Sequence, residues 1–115
     1  MDINSIIFVA GSGGLVGSAV VRKLKELGYK NILTPRRKEL DLSNQMQVRD
    51  YFSRNKVEYV IDAAARVGGI NANNTYSAEF IYENIMIQTN LIHESYLSGV
   101  KKLSLIHISE PTRPY

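Results

Sequence analysis

Residues 6–17 constrain the fold more than any other part of the sequence. Ile6-Ile7-Phe8-Val9-Ala10 is an unbroken apolar run rich in β-branched side chains. A strand with one wet face alternates apolar and polar residues; a run without alternation is buried on both faces, as in a parallel sheet. The run ends at a glycine cluster, Gly11 to Gly17, and helical periodicity begins at once. Val16, Val20, Leu24 and Leu27 recur at helical spacing with Arg22, Lys23 and Lys25 between them, where an amphipathic helix would face water. Gly28 predicts the end of that helix, because glycine readily takes the left-handed turn that closes one.

The same alternation continues down the chain. Asn31 to Thr34 reads as a short strand closed by Pro35. Ser43 is a fair N-cap for a helix over residues 44–54, with Met46, Val48, Tyr51 and Phe52 as its apolar positions. Tyr59-Val60-Ile61 predicts a third strand, followed by the small residues Ala63, Ala64 and Ala65. A polar loop leads to a long helix near Ser77–Ser98, ended by Gly99, and Val100 to Ile106 reads as a fourth strand. Strands alternating with helices imply a parallel, doubly wound α/β sheet of Rossmann type with about four strands.

The glycine loop carries chemistry. The first N–H groups of a helix have no internal partner, and the helix dipole adds about half a positive charge there. Gly11-Ser12-Gly13-Gly14-Leu15-Val16-Gly17 places such a helix start directly after a strand. Gly11, Gly14 and Gly17 satisfy a G-x-x-G-x-x-G spacing. A phosphate loop of the Walker type needs Gly-Lys-Ser/Thr, which is absent. The loop therefore fits a dinucleotide pyrophosphate, although a tight strand-to-helix turn alone would also use glycines.

The end of the second strand bears on cofactor choice. An Asp or Glu about 20 residues past the glycines would hold the ribose hydroxyls of NAD. Here the chain reads Thr34-Pro35-Arg36-Arg37-Lys38. Arginine forks onto phosphate oxygens, so Arg36 and Arg37 suit the additional 2′-phosphate of NADP(H); a solvated basic turn is the alternative. Asp41-Leu42 follows, and Asp41 either accepts from an adenine amino group or caps the next turn. Ala63, Ala64 and Ala65 leave room for a cofactor or pack a helix.

Composition excludes other classes. The 115 residues are 44% hydrophobic and 22% charged, which is globular rather than disordered. No apolar run approaches the roughly 20 residues of a membrane span, and no signal peptide is visible. The absence of cysteine rules out disulfides and thiolate metal sites and fits a cytoplasmic location. A metal centre is not expected: His93 has Leu97 rather than a second ligand at i+4. The net charge of +3 is concentrated early, with ten Lys/Arg against five Asp/Glu in residues 1–56. Aromatic residues are not interleaved with these basics as in a nucleic-acid groove, so no nucleic-acid partner is expected.

The glycine loop, Asp41-Leu42 and Ala63-Ala64-Ala65 resemble the extended short-chain dehydrogenase/reductase superfamily. Within it, the stretch from Ala63 through Val67-Gly68-Gly69-Ile70 and Ala72-Asn73-Asn74-Thr75-Tyr76 to Asn90 is similar to the GDP-L-fucose synthase family. The resemblance covers roughly residues 5–103. It implies a parent enzyme that epimerises carbons 3 and 5 of GDP-4-keto-6-deoxymannose and reduces carbon 4 with NADPH. A homodimer of the full-length protein is also compatible with it. By the same resemblance the loop from Arg66 to Tyr76 shares the cofactor and sugar pocket. The family usually carries Arg where Gly13 stands, which places more of the 2′-phosphate task on Arg37 and its neighbours.

The far end departs from the family. No Tyr-x-x-x-Lys occurs in the sequence, and Ser109 lacks the Gly-Ser context of the family's catalytic serine. No catalytic residue is assigned. Leu103 to Arg113 is similar, codon by codon, to the conceptual translation of a transposase-type sequencing adapter. Residues 1–103 are accordingly expected to form the N-terminal part of an NADP-binding domain, and residues 104–115 a non-native tail. The 115-residue chain is expected to show weak or no catalysis by itself.

Overall fold

The computed structural model describes residues 1–64 and 78–106. Seven elements follow one another: β1 (Ile6–Ala10), α1 (Leu15–Glu26), β2 (Asn31–Leu33), α2 (Gln45–Asn55), β3 (Tyr59–Asp62), α3 (Ala78–Leu97) and β4 (Lys102–Leu105). The strands form one sheet in the order β2-β1-β3-β4, and every pairing is parallel. From β1 the chain steps outward to β2, then returns past β1 to β3. That reversal opens a crevice beyond the carboxyl ends of β1 and β3, where ligands sit in open α/β sheets.

The central strand explains its own sequence. Ile7 and Val9 pack with Leu24, Val20 and Val21 of α1, while Phe8 and Ala10 face Val48, Phe52 and Leu91 of α2 and α3. Both faces of β1 are covered, which is why the run needs no polar alternation. Phe8 meets Tyr51 and Phe52 edge-to-face, with ring centroids 5.6 and 5.0 Å away. Such pairs add to the burial energy because a positive ring edge meets a negative ring face.

At the opposite end of the sheet, Glu58 ties three strands together. One carboxylate oxygen accepts from the Ile6 N–H at 3.0 Å, and the other pairs with the Lys101 ammonium at 3.1 Å. The Ile6 N–H, and secondarily Lys101, hold the Glu58 carboxyl below its usual pKa.

Local signals set most boundaries. Helices α1 and α3 both end in Schellman turns. Tyr29 N–H donates to Leu24 O and Gly28 N–H to Lys25 O; Val100 N–H donates to Ser95 O and Gly99 N–H to Tyr96 O. The start of α2 differs from the sequence expectation. Its cap is Asn44, whose side chain accepts from Gln47 N–H at 3.1 Å. Ser43 is diverted because its hydroxyl donates to Asp41. Leu27 and Met46 are exposed, not part of the core. Leu27 is the C-cap of α1, past the turn that rests on the sheet, and Met46 stands in the first turn of α2.

Candidate functional site

The glycine loop is built by close approach. Gly11 has φ +78°, a left-handed conformation that side chains rarely adopt. A Cβ there would lie 2.7 Å from Ala64 N, so glycine lets the end of β1 touch the end of β3. A Cβ on Gly17 would lie 1.8 Å from Gly11 O, which no side chain tolerates. These two glycines draw α1 down onto the strand end and fix where its N-terminus points.

That N-terminus suits an anion. Its cap residue, Gly14, has no side chain to satisfy the first-turn N–H groups, and no acidic residue stands in the first turn. The first main-chain bond into the helix runs from Ser18 N–H to Gly14 O, 2.9 Å. The N–H groups of Leu15, Val16 and Gly17 precede it and have no intrahelical acceptor.

A cleft of about 730 Å³ opens at this point. The structure brings Gly11, Ser12, Gly13, Arg36, Arg37, Asp41, Leu42 and Ala64 to its walls. Gly14, Leu15, Val16 and Gly17 stand back from the walls. Leu15 is exposed, and Gly17 is buried beneath Gly11. What these four offer a ligand is main chain. Ala63 is buried behind the cleft at the end of β3. Ala65 and the Arg66–Tyr76 loop lie outside the described residues, as do residues 107–115, Ser109 among them.

The segment after β2 is a folded turn rather than a loose basic loop. Glu39 N–H and Leu40 N–H both donate to Arg36 O, and the Glu39 carboxylate accepts from Arg36 N–H at 3.2 Å. The turn presents Arg36 and Arg37 to the cleft. Arg37 also reaches Glu83 on α3, with Nη2 to Oε1 at 2.7 Å.

Asp41 caps its own turn. Its Oδ1 accepts from the Ser43 hydroxyl at 2.6 Å and from Ser43 N–H at 3.0 Å. The Ser43 donors hold the Asp41 carboxyl below its usual pKa, with a smaller contribution from the Arg37 charge.

The sequence did not point to every residue of this site. Arg22 lines the cleft although its helix position suggests only water; it follows Ser18 by one turn on the same face of α1. Asn90 is buried on α3, and its amide donates to Leu42 O at 2.9 Å. It thereby fixes the main chain of one cleft wall from behind. Ile87, one turn earlier on α3, lines the cleft itself.

A doubly wound parallel sheet with a glycine turn, a free helix N-terminus and a cleft at the strand-order reversal defines an α/β protein of the dinucleotide-binding class. The chain belongs to the NAD dependent epimerase/dehydratase family, whose model matches residues 7–109. It is 58% identical over 102 residues to GDP-L-fucose synthase 1 of Arabidopsis thaliana, covering 89% of this chain and 32% of that protein. It is 45% identical over 97 residues to GDP-L-fucose synthase of Escherichia coli (strain K12), covering 84% and 30%. Among solved structures, the GDP-mannoheptose C4 reductase of Campylobacter jejuni with NADP bound superposes with a TM-score of 0.81 at 45% identity, covering 91% of this chain and 33% of that one. The chain thus spans about a third of the length of the relatives it matches.

Proposed function

We propose that this chain is the cofactor-binding portion of an NADPH-dependent epimerase/reductase of the GDP-L-fucose synthase type. The observation that carries the cofactor reading is the joint presence of the glycine turn Gly11–Gly13, which leads into α1, and of Arg36 and Arg37 around one cleft. The helix N-terminus suits a pyrophosphate, and the arginines suit a phosphate on the ribose. The cleft's volume and its apolar walls, Val21, Leu40, Leu42 and Ile87, suit the adenosine between them. The bound nicotinamide would supply the hydride for reduction of a ketone.

In this reading each part of the chain has a separate task. Main-chain N–H groups of the glycine turn and the start of α1 hold the pyrophosphate. Arg37, with Arg36 beside it, holds the 2′-phosphate. Asn90 and the Ser43-capped Asp41 keep the adenine-side wall rigid, so that little ordering is left to the moment of binding. The parent enzyme acts on GDP-4-keto-6-deoxymannose, epimerising carbons 3 and 5 before reduction at carbon 4. The substrate reading is supported by the 58% identity to the Arabidopsis relative. Among the described residues no helix is long and apolar enough to cross a membrane. The family resemblance is compatible with a cytoplasmic parent enzyme and with a homodimer of the full-length protein.

Two measurements test this. Calorimetric titration of the chain with NADP⁺ and NAD⁺ should show preference for NADP⁺; equal affinities would remove the arginine argument. Residues 1–103 should also replace the matching segment of the E. coli relative in a chimera. NADPH oxidation by that chimera with GDP-4-keto-6-deoxymannose, and none with a UDP-keto sugar, is the expected result. A chimera that folds and binds NADPH but turns over only a different keto sugar would refute the substrate assignment.

A further inference from the structure

Arg37 has an acidic neighbour that a pure phosphate ligand would not need. Its Nη2 lies 2.7 Å from Glu83 Oε1, although the two residues are 46 positions apart. Glu83 stands on α3 one turn before Ile87, whose side chain lines the cleft, so the pair lies at the cleft's rim. Both side chains remain open to water, at 72% and 43% exposure. Asp41 is a further carboxylate within the field of Arg37.

A guanidinium offers several N–H donors but carries only one positive charge. A phosphate arriving at Arg37 meets a donor edge already engaged and a carboxylate of its own sign beside it. An exposed ion pair is weak, so the exchange is feasible, but it lowers the gain from binding the phosphate.

We propose that Glu83 is a specificity-tuning counter-ion: it occupies Arg37 in the free protein and reduces the advantage of a 2′-phosphorylated adenosine over an unphosphorylated one. The inference rests on the reading of the cleft as a dinucleotide site. It assigns to α3 a role in setting the strength of cofactor discrimination, not only in supporting the wall. Arg37 supplies the attraction, and Glu83 sets how much of it reaches the ligand. Neutralising Glu83 leaves the glycine turn, the α1 N-terminus and the adenine-side wall untouched, so its effect is confined to ligands that carry the additional phosphate.

The test compares adenosine 2′,5′-bisphosphate with adenosine 5′-diphosphate in calorimetric titrations of the 115-residue chain. Glu83→Gln should tighten the 2′-phosphorylated nucleotide about 1.5- to 5-fold, the range set by loss of an exposed ion pair. It should leave the affinity for the diphosphate unchanged, which also reports that the cleft is intact. In an Arg37→Ala background the same substitution should lose most of its effect. Equal changes for both nucleotides, no change for either, or weaker binding of the 2′-phosphorylated one would each overturn the role given to Glu83. If the unsubstituted chain binds neither nucleotide, the dinucleotide reading itself fails and takes this inference with it.

Discussion

Among the described residues, helix α3 makes two arginine–glutamate pairs with earlier parts of the chain, and they differ in kind. Near its start, Glu83 takes a single contact from Arg37 in an open setting. Near its end, Glu94 is 1% exposed and accepts from both Arg49 Nε at 2.8 Å and Arg49 Nη2 at 3.1 Å. Gln45 adds another donor to the same carboxylate at 3.2 Å. The buried carboxylate is thus fully enclosed by donors, which is the condition under which a buried charge is tolerated. The open pair can exchange partners, whereas the enclosed one cannot without exposing a charge to an apolar surrounding. One end of the helix is therefore suited to meeting a ligand and the other to holding α2 in place.

The sharpest way to break the contrast is to truncate each glutamate. Glu94→Ala should lower the unfolding free energy by about 1.5–3 kcal/mol, the range for hydrogen bonds to a charged group. Glu83→Ala should stay within about 0.5 kcal/mol of the parent. Urea denaturation of the two variants checks this, and equal losses would mean that the pairs are equivalent.

Acid should weaken the enclosed pair. Arg49, and to a lesser degree Gln45, hold the Glu94 carboxyl below its ordinary value of 4.5, against the opposing effect of burial. A group with a lowered folded-state pKa stabilises fully above its unfolded value and loses that contribution as the pH falls through the folded one. The stability gap between the parent and Glu94→Gln should therefore be constant near neutrality and shrink below about pH 4.5.

The arginines give the next contrast. Arg37→Ala should cut the preference for 2′-phosphorylated adenosine by about tenfold, the loss of one charge-assisted phosphate contact. Arg49→Ala should lower the melting temperature and leave that preference unchanged. A shift of the preference by Arg49→Ala would show that the two ends of α3 are coupled.

The smallest effect concerns Gly13. A Cβ there meets nothing within 4 Å, and the residue lines the cleft. Gly13→Arg should raise affinity for the 2′-phosphorylated nucleotide a few-fold, since it adds a cation without a carboxylate partner. The influence of Glu83 should shrink in that background. Parallel titrations of the single and double variants measure both.

Much of this organisation is local enough to be read along the chain. The unbroken run of β1, the glycines that follow it and the glycine that ends α1 each act on residues a few positions away, so their meaning survives without the fold. The arginines after β2 are legible for the same reason, since they follow the glycines at the distance of one βαβ step. Arg22 was not, because a basic residue on an amphipathic helix has the same spacing whether it meets water or the rim of a cleft. Glu94 and Asn90 look like ordinary polar positions of a long helix. Their burial depends on α2 and the Leu42 segment arriving from more than 40 positions away.

The sequence alone determined the alternation of strands and helices, the parallel sheet that follows from it, and a tight glycine turn at its head. Those depend on hydrophobic period and backbone sterics, which are properties of neighbours in the chain. The tertiary structure decided which charges meet. It turned Asp41 into a cap held by Ser43, enclosed Glu94 with Arg49 and Gln45, and set Glu83 against Arg37 at the mouth of the cleft. Electrostatic partners are chosen by distance and burial in space, and only packing the helices on the sheet supplies those.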